Sequence, residues 1–298
     1  MLDLSVIILT YNEELHIRRC IENVKDIVKE IFIIDSFSTD KTLQIAKEYP
    51  QVTVLQNKWE NSHAKQFNWG LHNAPIQTKW ILKLDADEYL TEDLKTELTE
   101  RLASLSETYT GVIFPLRRVF LGRTIRRGMS QVKLLRLFQY GKAQSEVRLM
   151  DEHIQLLEGQ PIEFKHEFAD DNLNNLSWWT QKHIGYAIRE AADLLNLEYY
   201  LSDTYNGELG KQASEKRQKK MKYAKQPLFW RSFAYFCYRY FFRMGLLEGE
   251  EGFLWHFLQG WWYRTLVDAK VYEIRKECGK DKEKVRTLLA EKYQIKVD

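Results

Sequence analysis

The chain has 298 residues, 44% hydrophobic and 29% charged, with a formal net charge of +2. This is enough apolar material to bury the core of one large domain, or of a domain with an appendage, and it excludes a disordered chain. The nearly balanced charge argues against nucleic acid as a partner.

In chain order, Leu4–Leu9 is a short apolar run that predicts a buried parallel strand. It runs into Thr10, Tyr11, Asn12 and Glu13, and then into a helix with Leu15, Ile17, Ile21, Val24 and Ile27 at apolar spacing. A second strand, Glu30–Asp35, leads into Ser36–Asp40, which is rich in helix-capping residues, and a helix follows with Leu43, Ile45, Ala46 and Tyr49. Val52–Leu55 predicts a third strand, His63–Asn73 a helix, and Trp80–Asp85 a fourth strand. Strands alternating with helices predict an α/β fold with a doubly wound, mostly parallel sheet. A glycine-rich dinucleotide fingerprint is missing after the first strand, which disfavours NAD.

The fourth strand delivers Asp85 and Asp87 to the C-terminal sheet edge, where open α/β sheets bind ligands. Two carboxylates one residue apart suit Mg2+ or Mn2+, which take their other ligands from water and substrate phosphates. Standing alone, such a pair is better read as a solvated strand end or a helix cap.

Further on, Arg117, Arg118, Arg123, Arg126 and Arg127 predict a hairpin or mobile loop beside the cleft. It either closes on substrate phosphates or is a charged surface loop. Leu176–Asn196 has helical spacing. Lys216, Arg217, Lys219, Lys220, Lys222 and Lys225 form a basic run, after which aromatic residues crowd the stretch from Phe229 to Tyr263. Phe229, Phe233, Phe236, Tyr240 and Met244 keep helical spacing, interrupted by Arg231, Arg239 and Arg243. Trp255, Trp261 and Trp262 follow an expected turn at Gly249–Gly252. The arginines rule out a bilayer span, and basic aromatic helices predict a peripheral position in the membrane interface. Packing on the rest of the chain or on a second subunit is the alternative. The tail after Lys276 predicts an exposed helix. The widely spaced Cys20, Cys237 and Cys278 read as reduced thiols of a cytoplasmic protein, and Met1–Leu4 lacks the basic start of a signal peptide.

Three of these stretches, Ser5–Glu13, Ile34–Thr42 and Leu84–Glu88, together resemble the inverting glycosyltransferases of family 2, which have the GT-A fold. Looser matches at Met150–Ile154, Lys182–Ala187 and Gly245–Gly249 resemble the subgroup that builds lipopolysaccharide core, capsule or lipid-linked glycans. Ser36-Phe37 departs from the commoner Asp-Gly pair of the second motif.

The resemblance implies a catalytic domain over residues 1–170 and a helical region over 171–298. It implies metal-dependent, inverting transfer of a sugar from a nucleotide-sugar, with UDP expected, to a membrane-associated glycan or lipid-linked acceptor. The enzyme is then expected on the inner face of the cytoplasmic membrane. Thr10, Tyr11, Asn12, Glu13, Asp35, Lys65, Asp85 and Ala86 would hold the donor, although Asp35 could instead cap its helix and Lys65 could be merely solvated. Mn2+ or Mg2+ would bind Asp87 and Asp85, with His153 able to reach the metal or orient a carboxylate. The general base falls to Asp151 or Glu152, with Glu152 favoured. His166 is a further histidine near this region. A nucleotidyltransferase and a non-catalytic nucleotide- or glycan-binding protein are the rival readings, and the sequence sets no oligomeric state.

Overall fold

The computed structural model describes residues 1–147, 152–199, 201 and 222–295. The chain forms two compact units, Met1–Arg126 with Ser130–Asn174, and Arg127–Met129 with Asn175–Asp298.

The first unit opens with β1 (Leu2–Thr10), α1 (Ile17–Val24), β2 (Val28–Asp35), α2 (Thr42–Ala46), β3 (Val52–Gln56), α3 (His63–Asn73) and β4 (Trp80–Asp85). It continues through β5 (Glu88–Leu90), α4 (Glu92–Arg101), β6 (Tyr109–Phe120), β7 (Arg123–Ile125) and β8 (Lys133–Gln139). The short strands β9 (Ala143–Ser145), β10 (Ile154–Leu156), β11 (Gln160–Glu163) and β12 (Phe168–Asp171) complete it. The main sheet runs β3-β2-β1-β4-β8-β6-β12-β5, and its first four strands are parallel. Strand β8 is antiparallel to both β4 and β6. The chain steps outward from β1 to β3 and then returns to place β4 on the other side of β1. That reversal opens a crevice at the strand ends.

Both faces of the parallel strands are covered, which is why they read as continuous apolar runs. Val6, Ile8, Leu82 and Leu84 join one core, and Ile7, Ile34 and Ile81 join Phe67 and Phe138 in another. Period-two alternation puts Lys83, only 7% exposed, on the same face as Ile81 and Asp85. Helix α3 lies close on that face, since a Cβ on Gly70 would stand 2.7 Å from Ile34 Cγ1.

The arginine-rich stretch is a hairpin in which β6 turns through Leu121 and Gly122, both at positive φ, into β7. Arg117 pairs with Glu167 at 2.9 Å and Arg118 with Asp170 at 2.7 Å, so these two arginines tie β6 to its neighbours.

The second unit is helical: α5 (Leu176–Tyr199), α6 (Trp230–Cys237), a π-helical turn Tyr238–Phe242, a 3-10 turn Gly245–Glu248 and α7 (Gly249–Trp255). A second π-helical stretch, His256–Trp262, leads into α8 (Tyr263–Cys278), and α9 (Lys282–Tyr293) follows. Ala187, Ala191, Leu195, Val267, Val271 and Leu289 lie at its core. The turn expected at Gly249–Gly252 is helical instead, and Met244, at the start of the 3-10 turn before it, has a left-handed backbone. Gly252 is needed for packing, because a Cβ there would lie 2.1 Å from Glu248 Cβ. Trp255, expected among the membrane-facing residues, is 4% exposed and packs near Trp179, while Trp261 stacks on Phe236. Among the described residues no helix is long and apolar enough to cross a membrane.

Candidate active site

The C-terminal edge of the parallel strands gathers the first motif. Register pairs Thr10 with Asp35 and Leu9 with Asp85, so the ends of β1, β2 and β4 meet. Asp35 is fully buried and closes the loop after β2. Its Oδ1 accepts the hydroxyls of Thr10 and Ser38, and its Oδ2 accepts the Ser38 N–H and a Gln56 amide N–H. These contacts hold the loop after β2 and do not cap α2, which begins only at Thr42. Asn12, at positive φ, accepts the Thr39 N–H on Oδ1 at 2.8 Å, and its own N–H donates to Ser38 Oγ. Glu13 is held through buried His16: the ring Nε2 accepts the Leu173 N–H at 2.9 Å, so Nδ1 carries the proton and donates to Glu13 Oε2 at 2.7 Å. Tyr11 is left exposed on this edge, as is Phe37, which stands at positive φ where a glycine is commoner.

The turn after β4 is fixed from beneath. Glu88 is buried, accepts the Asp85 N–H at 2.9 Å and meets the Arg136 guanidinium. The same Arg136 Nη2 reaches Asp85 Oδ2 at 3.3 Å. Asp87 Oδ2 accepts the Asn172 amide N–H at 2.8 Å, and the Asp87 carbonyl accepts from Arg19 and from the Asp171 N–H. Ala86 is packed between them, almost fully buried. Burial works to raise the Asp85 carboxyl, but Arg136, Lys83 and His63 outweigh it and hold it well below the usual carboxylate range. Burial depresses the Lys83 ammonium, with Asp85 opposing the shift.

Glu152 belongs to the same cluster. Ser62 donates its hydroxyl to Glu152 Oε1 at 2.9 Å. Burial raises the Glu152 carboxyl above its ordinary 4.5, against the Ser62 hydrogen bond and the Lys83 charge, with the Asp85 charge adding to the rise. A carboxylate poised upward in this way can take a proton from a nearby hydroxyl near neutral pH. The rival base, Asp151, lies outside the described residues.

A hard cation suits Asp85 and Asp87, two carboxylates on one turn that leave room for phosphate and water ligands. Among the described residues no three His, Cys, Asp or Glu side chains come together as a ligand set. Lys65 is half exposed and pairs with Glu60 at 3.3 Å. His166 bonds to Glu97 at 2.9 Å, which is a structural contact. Sequence reasoning missed Ser62, Lys83, Arg136 and Asn172. A lysine inside an apolar strand and an arginine inside Leu134–Phe138 were the available signals, since a charge in a buried strand needs a partner.

The family described as Glycosyl transferase family 2 matches residues 5–156. The SPbeta prophage-derived glycosyltransferase SunS of Bacillus subtilis (strain 168) is 32% identical over 127 residues, 38% of this chain and 30% of its own. An uncharacterized glycosyltransferase, RT0209, of Rickettsia typhi is 34% identical over 104 residues, 35% of this chain and 34% of its own. The chain thus spans about a third of the length of these curated relatives. A mannosyltransferase from Pyrobaculum calidifontis, solved with GDP-Man and Mn2+, matches 91% of this chain and 87% of its own with a TM-score of 0.50. At 15% identity that likeness is one of fold.

Proposed function

The chain belongs to glycosyl transferase family 2, with a GT-A fold, and on that premise we propose a specific transfer reaction for it. The donor is a nucleotide-sugar, with a UDP-sugar the first to test. The acceptor is a hydroxyl of a membrane-associated glycan or lipid-linked saccharide, and the anomeric centre is inverted. The observation that supports this reading is the position of Glu152, bonded to Ser62 and within the field of Lys83 and Asp85.

In this reading the nucleoside lies against Tyr11 and the loop of Thr10, Asn12 and Glu13, which Asp35 keeps closed. Lys65 stands at the rim, free to exchange Glu60 for donor charge. Asp85 and Asp87 would hold Mn2+ or Mg2+ together with the donor diphosphate, and the ion would neutralise charge on the departing nucleotide. Arg136 and Glu88 keep the Asp85 backbone in place, and Asn172 orients Asp87. Glu152 removes the acceptor hydroxyl proton as that oxygen attacks the anomeric carbon from the face opposite the leaving group.

The test is a panel of nucleotide-sugars with Mn2+, with release of free nucleotide followed in the presence and absence of candidate acceptors. Turnover of one donor is expected, and Glu152→Gln should lower it by about two orders of magnitude or more while nucleotide binding persists. Wild-type rates in Glu152→Gln would exclude Glu152 as the base and pass the role to Asp151.

A further inference from the structure

We propose that the aromatic face of residues 230–247 docks on an anionic lipid bilayer. The inference rests on the proposed reaction only for its purpose, since it names the surface on which a membrane-held acceptor would be met.

Helix α6 and the π-helical turn after it point arginines inward and most of their aromatics outward. Trp230 is 72% exposed and Phe242 78%, and Phe233, Tyr238 and Phe241 are exposed along the same stripe. The buried side carries Arg231, Ser232 and Arg239, with Phe236 as its one buried aromatic. Arg231 is paired with Asp268 away from water, an arrangement that costs desolvation at both charges. A helix meant to face water puts its arginines outward and its aromatics inward. Met244, Leu246 and Leu247 carry the exposed apolar surface on beyond the turn. Contiguous apolar area of this kind marks an interaction site.

Charge decides which partner fits. From Lys216 to Leu247 the sequence contains no aspartate or glutamate. The six lysines and arginines between Lys216 and Lys225 lead directly into the aromatic stripe. Lys222 and Lys225 are exposed, and Lys216 to Lys220 lie outside the described residues. A basic run that precedes exposed Trp, Phe and Leu in sequence, with Lys222 and Lys225 exposed, matches an anionic headgroup layer over an apolar one. A second copy docked through this face would bring two basic runs together, because a two-fold contact pairs the same patch with itself. With no helix among the described residues able to span, the stripe would lie in the interface plane.

Co-sedimentation of the full chain with vesicles tests the proposal, using phosphatidylcholine alone and an equal mixture with phosphatidylglycerol. At low salt the wild type should pellet with the mixed vesicles and stay largely in solution with phosphatidylcholine. The variant Trp230→Ser/Phe241→Ser/Phe242→Ser, altered only at exposed positions, should bind mixed vesicles roughly tenfold more weakly or worse. Its release of nucleotide from free donor should be unchanged, which shows that it is folded. A wild type that ignores both vesicles, or a triple variant that binds as well as wild type, overturns the proposal. So does a wild-type dimer that the triple substitution splits without any vesicle binding, which would assign the face to a second copy. Vesicle binding without sugar transfer would instead count against the proposed reaction alone.

Discussion

The hydroxyl of Ser62 serves α3 and Glu152 at once: Oγ accepts the Lys65 N–H at 3.1 Å and donates to Glu152 Oε1 at 2.9 Å. The helix cap and the proposed base therefore share one atom, and removing it has two separable consequences. Ser62→Ala should cost about 0.5–2 kcal/mol through the lost cap. It should also raise the Glu152 carboxyl further, because the Ser62 bond is what most opposes the upward shift from burial. The base acts only when ionised, so the rate falls as pH drops through this raised value. The acid limb of the wild-type profile is thus expected above the ordinary 4.5, and that of Ser62→Ala higher still. Denaturant melts read the first effect and pH–rate profiles the second; identical profiles for the two proteins would remove Glu152 from the proton transfer.

Metal use should depend on a residue that no metal touches. Asn172 donates to Asp87 Oδ2, and partners that orient a ligand typically contribute about 10–100-fold to metal affinity. Asn172→Ala is expected to raise the Mn2+ concentration needed for half-maximal turnover by about that factor, with saturating Mn2+ restoring most of the rate. Asp87→Ala should not be rescued at any Mn2+ concentration. Full activity of Asp87→Ala, or of the wild type in EDTA, would end the metal-dependent reading.

Gly70 tests how tightly α3 is pressed to the sheet. A methyl group there would stand 2.7 Å from Ile34 Cγ1, too close for an ordinary contact, and Ile34 is itself buried in the sheet. Gly70→Ala should therefore destabilise by about 1–3 kcal/mol despite its better helix propensity. A melt as stable as wild type would mean that α3 shifts freely on β2.

The parallel half of the sheet was legible because its strands are buried on both faces and so read as apolar runs, as in Val6–Leu9 and Trp80–Leu82. Helix His63–Asn73 was legible over its whole length, while the Ser62 cap that starts it was not read. The support beneath the site was not, since it depends on pairs distant in sequence. Arg136 meets Glu88 from β8 and Asn172 meets Asp87 from the end of β12, and no local pattern announces either contact. Glu88, which the sequence left open as either a support behind the aspartates or an exposed side chain, is buried and closes the Asp85 turn. The aromatic helices misled in a different way. Aromatics occupy both faces of α6, so spacing alone did not reveal that Arg231 points inward while Trp230 points out.

That inward arginine gives the sharpest stability prediction. Arg231 Nε donates to Asp268 Oδ1 at 2.8 Å, its Nη1 donates to the carbonyl of Ala224, and both partners of the ion pair are shut off from water. Asp268 Oδ2 also accepts the Phe229 N–H at 2.7 Å, at a residue with φ of 68°. Arg231→Met removes the cation and leaves a buried carboxylate with one backbone donor, which should cost about 3–5 kcal/mol. Asp268→Asn added to Arg231→Met takes away the stranded charge while its side-chain oxygen can still accept from Phe229. The double variant should therefore recover a large part of the loss, so that the two substitutions are strongly non-additive. Thermal melts of the two single variants and the double complete the cycle. Additive losses would show that the two side chains do not act as a pair and that Arg231 is held inward by its carbonyl contacts and the packing around Tyr223 instead.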